Sequence, residues 1–581
     1  MKAIKSKYHN SNFLPLFLLV IVLILVAGIF LYSRDDRYLK SEQDQYDVLS
    51  FCESIPVPVF SVPEGIYDDP FDLGISAPPD YDIYYTTNGA LPTTRSHRYQ
   101  KKILIDPSKN LNKDILYIPT SVIWNAPYSR QNHCTVVRAR CFKAGEGYGP
   151  VKNIVYSTSD ITQHAGFKIV HLFIESDSLF SPQKGIYVMG EKYYSKKTMA
   201  KTNMSLVQAN WFDHSANYHE KGKKWIRPAE FMLMNSSGKT LYRQSVRLRL
   251  HGGSTRAYPI KSFRIMADSI RGNTNIHYRF FDDLPYDIFK TILLRPSGND
   301  QNRTMFRDAM LQQMMKGLGL DIQDYTPAVV YINGNYWGIH DIREKLDENY
   351  LAIKYGSATE NINILEYVNN KSLELEYGDI KSFQSFKELV LYIQDNSMTD
   401  ETAYQYVCTQ MDIDNFIDYM IVQTFFANSD WITNNIRIYT INEQTQIMQQ
   451  KNIEAGKWRW LIFDLDYCMP YWDSSINMID DFLPQFENRE IPVMFFGLLK
   501  NTEFREKFMK RYEFIIRNCL TASYLMQYIE DFKERYHNEM ERHIARWRYP
   551  LFFQEWQWRV DLMKTFLRER PEIVLDQLEA L

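Results

Sequence analysis

Apolar and polar positions along the chain change rhythm several times, and each change predicts a different element. Phe13 to Tyr32 carries no charge over twenty residues, which at about 1.5 Å per residue crosses a hydrocarbon layer of about 30 Å. Lys2, Lys5 and Lys7 precede this run, no small-residue cleavage pattern follows it, and Arg34, Arg37 and Lys40 lie beyond. The pattern predicts an uncleaved single-pass anchor (13–32) between a tail (1–12) and a polar stalk (33–55). The short basic tail favours an extracytoplasmic position for the large domain. From 56 to 160 the rhythm becomes short β-type runs, Val57–Ser61, Asp82–Thr86, Ile103–Ile105 and Thr135–Ala139, punctuated by Pro, Gly, Asp and Asn. Such spacing predicts an all-β sandwich, with Asn88-Gly89 as a tight hairpin turn.

Further strands are predicted at Ile169–Ile174 and at the alternating Val246-Arg247-Leu248-Arg249-Leu250, which runs into His251-Gly252-Gly253-Ser254-Thr255-Arg256 before Ile260–Ile265 resumes. Phe306, Met310, Met314 and Leu318 recur at helical spacing. Ala328–Ile332, a turn at Asn333-Gly334-Asn335 and Trp337–Ile339 read as a hairpin, and the charged run Arg343–Glu348 as the start of a solvated helix. Phe416, Ile417, Met420, Ile421 and Phe425 form one helical face, followed by strands at Ile436–Thr440 and Trp458–Phe463. The last eighty residues are helical and charged, and 549–581 is assigned as a C-terminal extension.

Chemistry concentrates in three places. Gly252 and Gly253 let backbone approach a ligand closely, and Lys261 follows on the next strand. Asp430 and Asn435 are five residues apart, the spacing at which a phosphotransfer loop places a proton-accepting carboxylate and a metal-holding amide. Asp464 and Asp466 end the second strand after them, where the other metal ligand of such a site belongs.

Charge removes one class of function. With 67 basic and 70 acidic residues, net −3, and no basic stripe, the chain is not a dedicated nucleic-acid binder. Six cysteines form no disulfide framework: Cys134 and Cys141 lie on opposite faces of one predicted strand, and no CxxC or Cys/His spacing suggests zinc. Aromatic residues make up 15 % of the chain, which suits thick cores and also surfaces that stack on sugars or purines.

Two resemblances follow from these motifs. Ile83-Tyr84-Tyr85-Thr86-Thr87-Asn88-Gly89-Ala90-Leu91-Pro92-Thr93 resembles the small fibronectin-III-related sandwich at the C-terminus of chitobiases and hexosaminidases, which implies a spacer or a docking module for a surface glycan or protein. From about 164 to 548 the chain resembles the spore-coat-protein-H (CotH) kinase family. The resemblance is carried by the Gly-Gly turn with Pro259-Ile260-Lys261-Ser262-Phe263, by Gly334-Asn335-Tyr336-Trp337-Gly338-Ile339 with Glu344-Lys345-Leu346-Asp347, by Asp430-Trp431 with Asn434-Asn435, and by Asp464-Leu465-Asp466. It implies an α+β, atypical protein-kinase-like fold behind a transmembrane helix and a small sandwich, using ATP and Mg2+ or Mn2+ to phosphorylate Ser or Thr of a protein substrate. By this resemblance Lys261 contacts phosphate beside Gly252 and Gly253, Glu344 orients Lys261, Asp430 is the catalytic base, and Asn435 with Asp464 or Asp466 holds metal. No His-Arg precedes Asp430, no complete Gly-x-Gly-x-x-Gly is present, and Tyr467-Cys468-Met469-Pro470 follows Asp466 in place of a glycine. Three other readings therefore stay open: an inactive kinase-like binding or assembly protein at the cell surface, a metal-dependent glycosyltransferase using Asp464-Leu465-Asp466, and, more remotely, a glycoside hydrolase.

Overall fold

The computed structural model describes residues 54–109, 113–129, 133–199, 212, 214–368, 372–469 and 473–581. Among these residues no helix is long and apolar enough to cross a membrane; the anchor expected at 13–32 lies outside them.

The first body is a β-sandwich. Its main sheet runs Gly65–Ile66, Lys152–Ser157, Cys134–Lys143, Asp82–Thr86, His97–Arg98. The pairs Val59–Phe60 with Ile75–Ser76 and Phe71–Leu73 with Ile103–Ile105 complete it. Alternation along Cys134–Lys143 sorts the two cysteines as expected: Cys141 joins the sandwich core with Ile75, Ile83 and Ala139, whereas Cys134 and Val136 join the core of the next domain. Both thiols are free. The Asn88-Gly89 turn is not a two-residue hairpin, because the strand Asp82–Thr86 pairs back only at His97–Arg98. Pro92 lacks the N–H a ladder needs, and Gly89, at φ +78°, lies so close to Asn333 that a Cβ would come within 2.6 Å. The turn thus serves domain docking rather than strand return.

The second body is built on a nine-stranded sheet in the order Tyr325–Thr326, Asp341–Glu344, Thr291–Arg295, Ser262–Ala267, Thr240–His251, Arg227–Met234, Lys168–Phe173, Ala328–Ile332, Asn335–Ile339. Every pairing is antiparallel except that of Lys168–Phe173 with Ala328–Ile332. One face buries Leu172, Phe231, Leu248, Phe263, Ile265 and Leu294. Ile115 and Leu116 from the sandwich side enter that same core, so the sandwich does not end in a free linker. The charged run Arg343–Glu348, expected to open a helix, first completes the fully buried strand Asp341–Glu344 and enters a helix only at its last residue, Glu348. Burial is possible because its charges meet partners inside: Arg343 contacts Asp308 at 3.1 Å and Glu344 accepts from Tyr286. The helix Glu348–Tyr355 starts only after Asp347 caps it.

Beyond it stand a four-stranded antiparallel sheet (Ser372–Tyr377, Ile362–Val368, Arg437–Ile441, Arg459–Trp460) and a helical layer that includes Ile413–Phe425, Ala522–Trp547 and Phe553–Glu579. The last helix is no appendage. Trp556, Val560, Met563, Phe566, Leu567 and Val574 all lie in the largest core. Arg570 donates to the carbonyls of Thr424, Phe425, Ser474 and Ile476, closing the end of Ile413–Phe425 whose last carbonyls have no partner within their own helix. A boundary at 549 would cut through this core. Trp556→Ala should therefore destabilise the domain by about 3–5 kcal/mol, read by equilibrium urea unfolding; a loss below about 1 kcal/mol would make the helix peripheral.

Candidate functional site

Asp430 follows the helix Ile413–Phe425, which is capped by Asp412 at its start and broken by Ala427 in the left-handed region (φ 48°). The loop after it is held from beneath: Asn428 donates to Gln423, Trp431 donates through Nε1 to Tyr419 at 2.8 Å, and buried Ile432 sits at φ 75°. A β-branched residue in that conformation is strained and persists only where its surroundings fix it. Ser297, Met305, Asn435, Asp464 and Met469 also have positive φ, so left-handed backbone gathers in the three loops that meet here. The loop of Asp430 is joined to the turn after Asp466 by Ser429, which donates through both N–H and Oγ to the Tyr467 carbonyl, and by the Met469 N–H, which donates to the Phe426 carbonyl.

Asp430 accepts from Asn434 Nδ2 at 3.2 Å and from Asn435 Nδ2 at 2.9 Å, both at Oδ2. Its other oxygen is left for a reacting group, and the two amides, donating through nitrogen, keep their carbonyl oxygens as acceptors. Burial, with the nearby Asp464 charge, pushes the Asp430 carboxyl up to about 6. Asp464 and Asp466 differ sharply. Asp464 is partly exposed and meets Arg295; Asp466 is fully buried and accepts from the Asn299 N–H at 2.7 Å and from Arg295 at 3.2 Å. A side chain on Gly298 would stand 2.2 Å from Asp466 Oδ2, so glycine is required there at φ 56°. Burial first, then Asp464, holds the Asp466 carboxyl well above its ordinary range. Of the two, only Asp464 keeps exposed surface.

Arg295 ends the strand Thr291–Arg295 and reaches Asp308 (3.5 Å) as well as Asp464 and Asp466. Burial works against its charge, but the three carboxylates hold its pKa above the ordinary value. On its other side begins a cleft of about 280 Å³ lined by Arg249, His251, Gly252, Arg256, Arg264, Lys345 and Arg437, with Glu366 and Glu376 among the acids. Its cations are only partly neutralised: Arg437 pairs with Glu366 at 2.7 Å and Arg264 with Asp347 at 3.4 Å. Burial, and then Arg437, lowers Lys345 to about 8, while burial and Lys345, Arg295, Arg264 and Arg437 press His251 well below its ordinary value. The cation-lined cleft and the carboxylates about Arg295 are linked through His251, which lines the cleft and feels the Arg295 charge.

Lys261 does not face either side of this site. Its backbone lies just before the strand Ser262–Ala267 and its side chain joins the packed face with Phe263, fully buried, above the rings of Tyr218 (4.3 Å) and Tyr187 (5.2 Å). Its ammonium donates to the Tyr258 carbonyl, and burial, then Arg256, holds its pKa well below the ordinary value. Glu344 is bonded to Tyr286 (2.7 Å) and to the Asp324 N–H (3.0 Å), with burial raising it to about 7. Among the described residues no ion pair joins it to Lys261. The expected Lys261–Glu344 couple is thus corrected: strand alternation puts Arg264, two residues after Ser262, on the cleft side, and Lys261 on the aromatic side. Gly252 lines the cleft at φ 105°, where a Cβ would meet Thr255 at 2.4 Å; Gly253 lies in open space.

The donors suit a divalent cation held with a polyphosphate. Asp464 and the Asn435 amide supply hard oxygen, and the arginines of the cleft suit phosphate. Among the described residues no three His, Cys, Asp or Glu side chains form an all-protein metal cage; Mg2+ commonly needs only one or two carboxylates, with water and substrate phosphates completing its shell.

Arg249, Arg264, Arg295, Lys345 and Arg437 were not singled out by sequence reasoning. The alternating Arg247-Leu248-Arg249 carried a signal, since it places two arginines on the face opposite the core. Arg295 carried none, because Asp464 and Asp466, two of the three carboxylates it meets, lie more than 160 residues away.

Comparison with known families gives two matches. The family described as CotH kinase protein matches residues 248–574, and the chitobiase/beta-hexosaminidase C-terminal domain matches residues 62–113. No curated protein matches the chain.

Two outcomes are expected. Arg295→Met should cost about 3–5 kcal/mol in urea unfolding at pH 7, because the buried Asp308 carboxylate loses one of the two cations that compensate its burial. Asp430 binds its proton more tightly in the folded than in the unfolded state, so its contribution lowers stability as pH rises from about 4 to about 6. Asp430→Asn should flatten that slope and stabilise the metal-free protein at pH 7 relative to wild type, with the advantage vanishing below pH 4 in thermal melts; an equal gain at every pH would reject the titration.

Proposed function

We propose, from the premise that the chain belongs to the CotH kinase family, that this kinase-like protein transfers the γ-phosphate of ATP to a Ser or Thr hydroxyl of a protein substrate. The observation that carries the reading is an Asp430 carboxyl held by Asn434 and Asn435 and raised by burial and by Asp464, in a domain that also has a cation-lined cleft whose His251 feels the charge of Arg295. Arg249, Arg264 and Lys345 bind and orient the phosphates. Asp464 and the Asn435 amide oxygen hold a divalent cation, which when bound neutralises phosphate charge and polarises the transferring group. Asp430 keeps Oδ2 on Asn434 and Asn435 and turns Oδ1 to the acceptor hydroxyl, whose proton it takes as the new O–P bond forms, while the bond from the γ-phosphorus to the β,γ-bridging oxygen breaks and ADP leaves with that oxygen. A carboxylate near pKa 6 is ionised at neutral pH yet basic enough for that step. The apolar run 13–32 supplies the membrane attachment in this reading, and the sandwich belongs on the same side as the kinase-like domain.

The competing reading, an inactive kinase-like binding protein, is favoured by one observation: Arg295 already occupies the carboxylates that a cation would meet. The readings separate on incubation with γ-labelled ATP, Mg2+ or Mn2+ and generic Ser/Thr acceptors. Transfer should fall at least 100-fold in Asp430→Ala and Asp464→Ala. Arg264→Met should weaken ATP about 10- to 100-fold, as expected for loss of a charge-assisted hydrogen bond of about 1.5–3 kcal/mol. Label that survives in Asp430→Ala would reject the roles given; no label and no ATP binding in wild type would favour the binding protein.

A further inference from the structure

Three consecutive carbonyls at the end of the glycine turn are each held by a buried side chain. Ser121 Oγ donates to the Ala257 carbonyl at 2.5 Å, Lys261 Nζ to that of Tyr258, and Thr120 Oγ1 to that of Pro259 at 2.8 Å. Thr120 and Lys261 have no exposed surface and Ser121 almost none. Lys261 belongs to the kinase-like domain, but Thr120 and Ser121 arrive from the sandwich, on the connection between Ile103–Ile105 and Cys134–Lys143. That connection leaves the sandwich, buries Ile115 and Leu116 among Leu172, Phe231 and Phe263, and is tied at its far end by the Tyr128 N–H to the Ala545 carbonyl at 3.4 Å. It crosses the outside of the turn as a strap.

The turn it grips is part of the cleft. Gly252 and Arg256 line the cationic cavity, and Arg256 donates to the carbonyls of Gly253, His219 and Glu220, drawing the turn against the segment whose Asn217 and Tyr218 form the opposite wall. Within the turn two long backbone bonds, Arg256 N–H to Gly253 and Tyr258 N–H to Thr255, at 3.3 and 3.2 Å, fix the main chain. A turn with so few internal bonds belongs to the readily opened part of a fold unless something external holds it. Lys261 and Arg256 tie it within the kinase-like domain, and Thr120 and Ser121 hold it from the sandwich side.

We propose that this strap is a positioning element: through Thr120 and Ser121 the β-sandwich fixes the 252–259 turn, and with it the polyphosphate affinity of the cleft. The sandwich is then a working part of the binding site rather than a spacer. This rests on the cleft being the nucleotide site proposed above.

The test uses the full chain with Thr120→Val and Ser121→Ala combined, and the restoring pair Thr120→Ser and Ser121→Thr, which keep a hydroxyl at each position. Amide hydrogen exchange reports the turn, and titration with MgATP and, separately, inorganic tripolyphosphate reports the cleft. Exchange at Arg256 and Tyr258 should speed at least 10-fold, with the strand Ser262–Ala267 unchanged, and the dissociation constant for MgATP should rise about 10-fold. Both changes should be reversed in the hydroxyl-keeping pair. Unchanged exchange overturns the strap, and faster exchange with unchanged affinity reduces it to a structural tie and overturns the positioning role. Wild type that binds tripolyphosphate but not MgATP removes the nucleotide reading and leaves the strap to be judged on tripolyphosphate alone. Wild type that binds neither overturns both.

Discussion

The guanidinium of Arg295 lies among carboxylates from two other parts of the chain: Asp308 at the start of a helix, and Asp464 and Asp466 in the turn after the second sheet. Arg343 shares Asp308, and the Leu465 N–H bonds the other oxygen of that carboxylate at 2.8 Å. Desolvating so many charges is costly, and the interior tolerates it only because each ion meets several partners. Fixing Arg295 therefore fixes where the nine-stranded sheet meets the helical half. Asp464 takes its place from that junction, Asp430 from the helix that packs beneath it, and the cleft from the strand edge that Arg295 terminates.

Charge is separated across this junction rather than blended. Arg249, Arg264, Lys345 and Arg437 crowd the cleft, where burial first, and then the neighbouring cations, lower the pKa of Lys345 and His251, while Asp464 and Asp466 gather about Arg295. Such an arrangement is unfavourable by itself, as is the positive φ of Ile432, Asn435 and Asp464. Strain and unbalanced charge that persist in one place are what a site for a charged ligand requires, since the ligand, not the empty protein, completes the balance.

Two domain boundaries move once packing is seen. The helix Phe553–Glu579 fills the core and tethers, through Arg570, the end of the helix that precedes Asp430. The CotH family match, which runs to 574, includes it. On the other side, the sandwich gives Ile115, Leu116, Thr120 and Ser121 to its neighbour, although the chitobiase-type match stops at 113. A module recognised by its strands need not include the connection that does the docking.

Local pattern determined much of this protein. The alternation in Val246–Leu250, the apolar runs at Ile169–Ile174 and Ala328–Ile332, and the helical face of Phe416 to Phe425 are all found as elements of those types, because period and side-chain shape act within a few residues. The order Asp430, Asn435, Asp464, Asp466 identified the family for the same reason, each spacing being a property of one loop or turn. Where the deciding partner was distant, sequence was silent. The run at Arg343 became a buried strand because Asp308 and Tyr286 neutralise it; Lys261 turned to the aromatic face because Tyr187, Tyr218 and the Tyr258 carbonyl receive it. The choice of Asp464 over Asp466 as the exposed carboxylate rests on Asn299 and Gly298, more than 160 residues earlier. Burial and pairing of charge depend on three-dimensional neighbours, and only the tertiary structure supplies those.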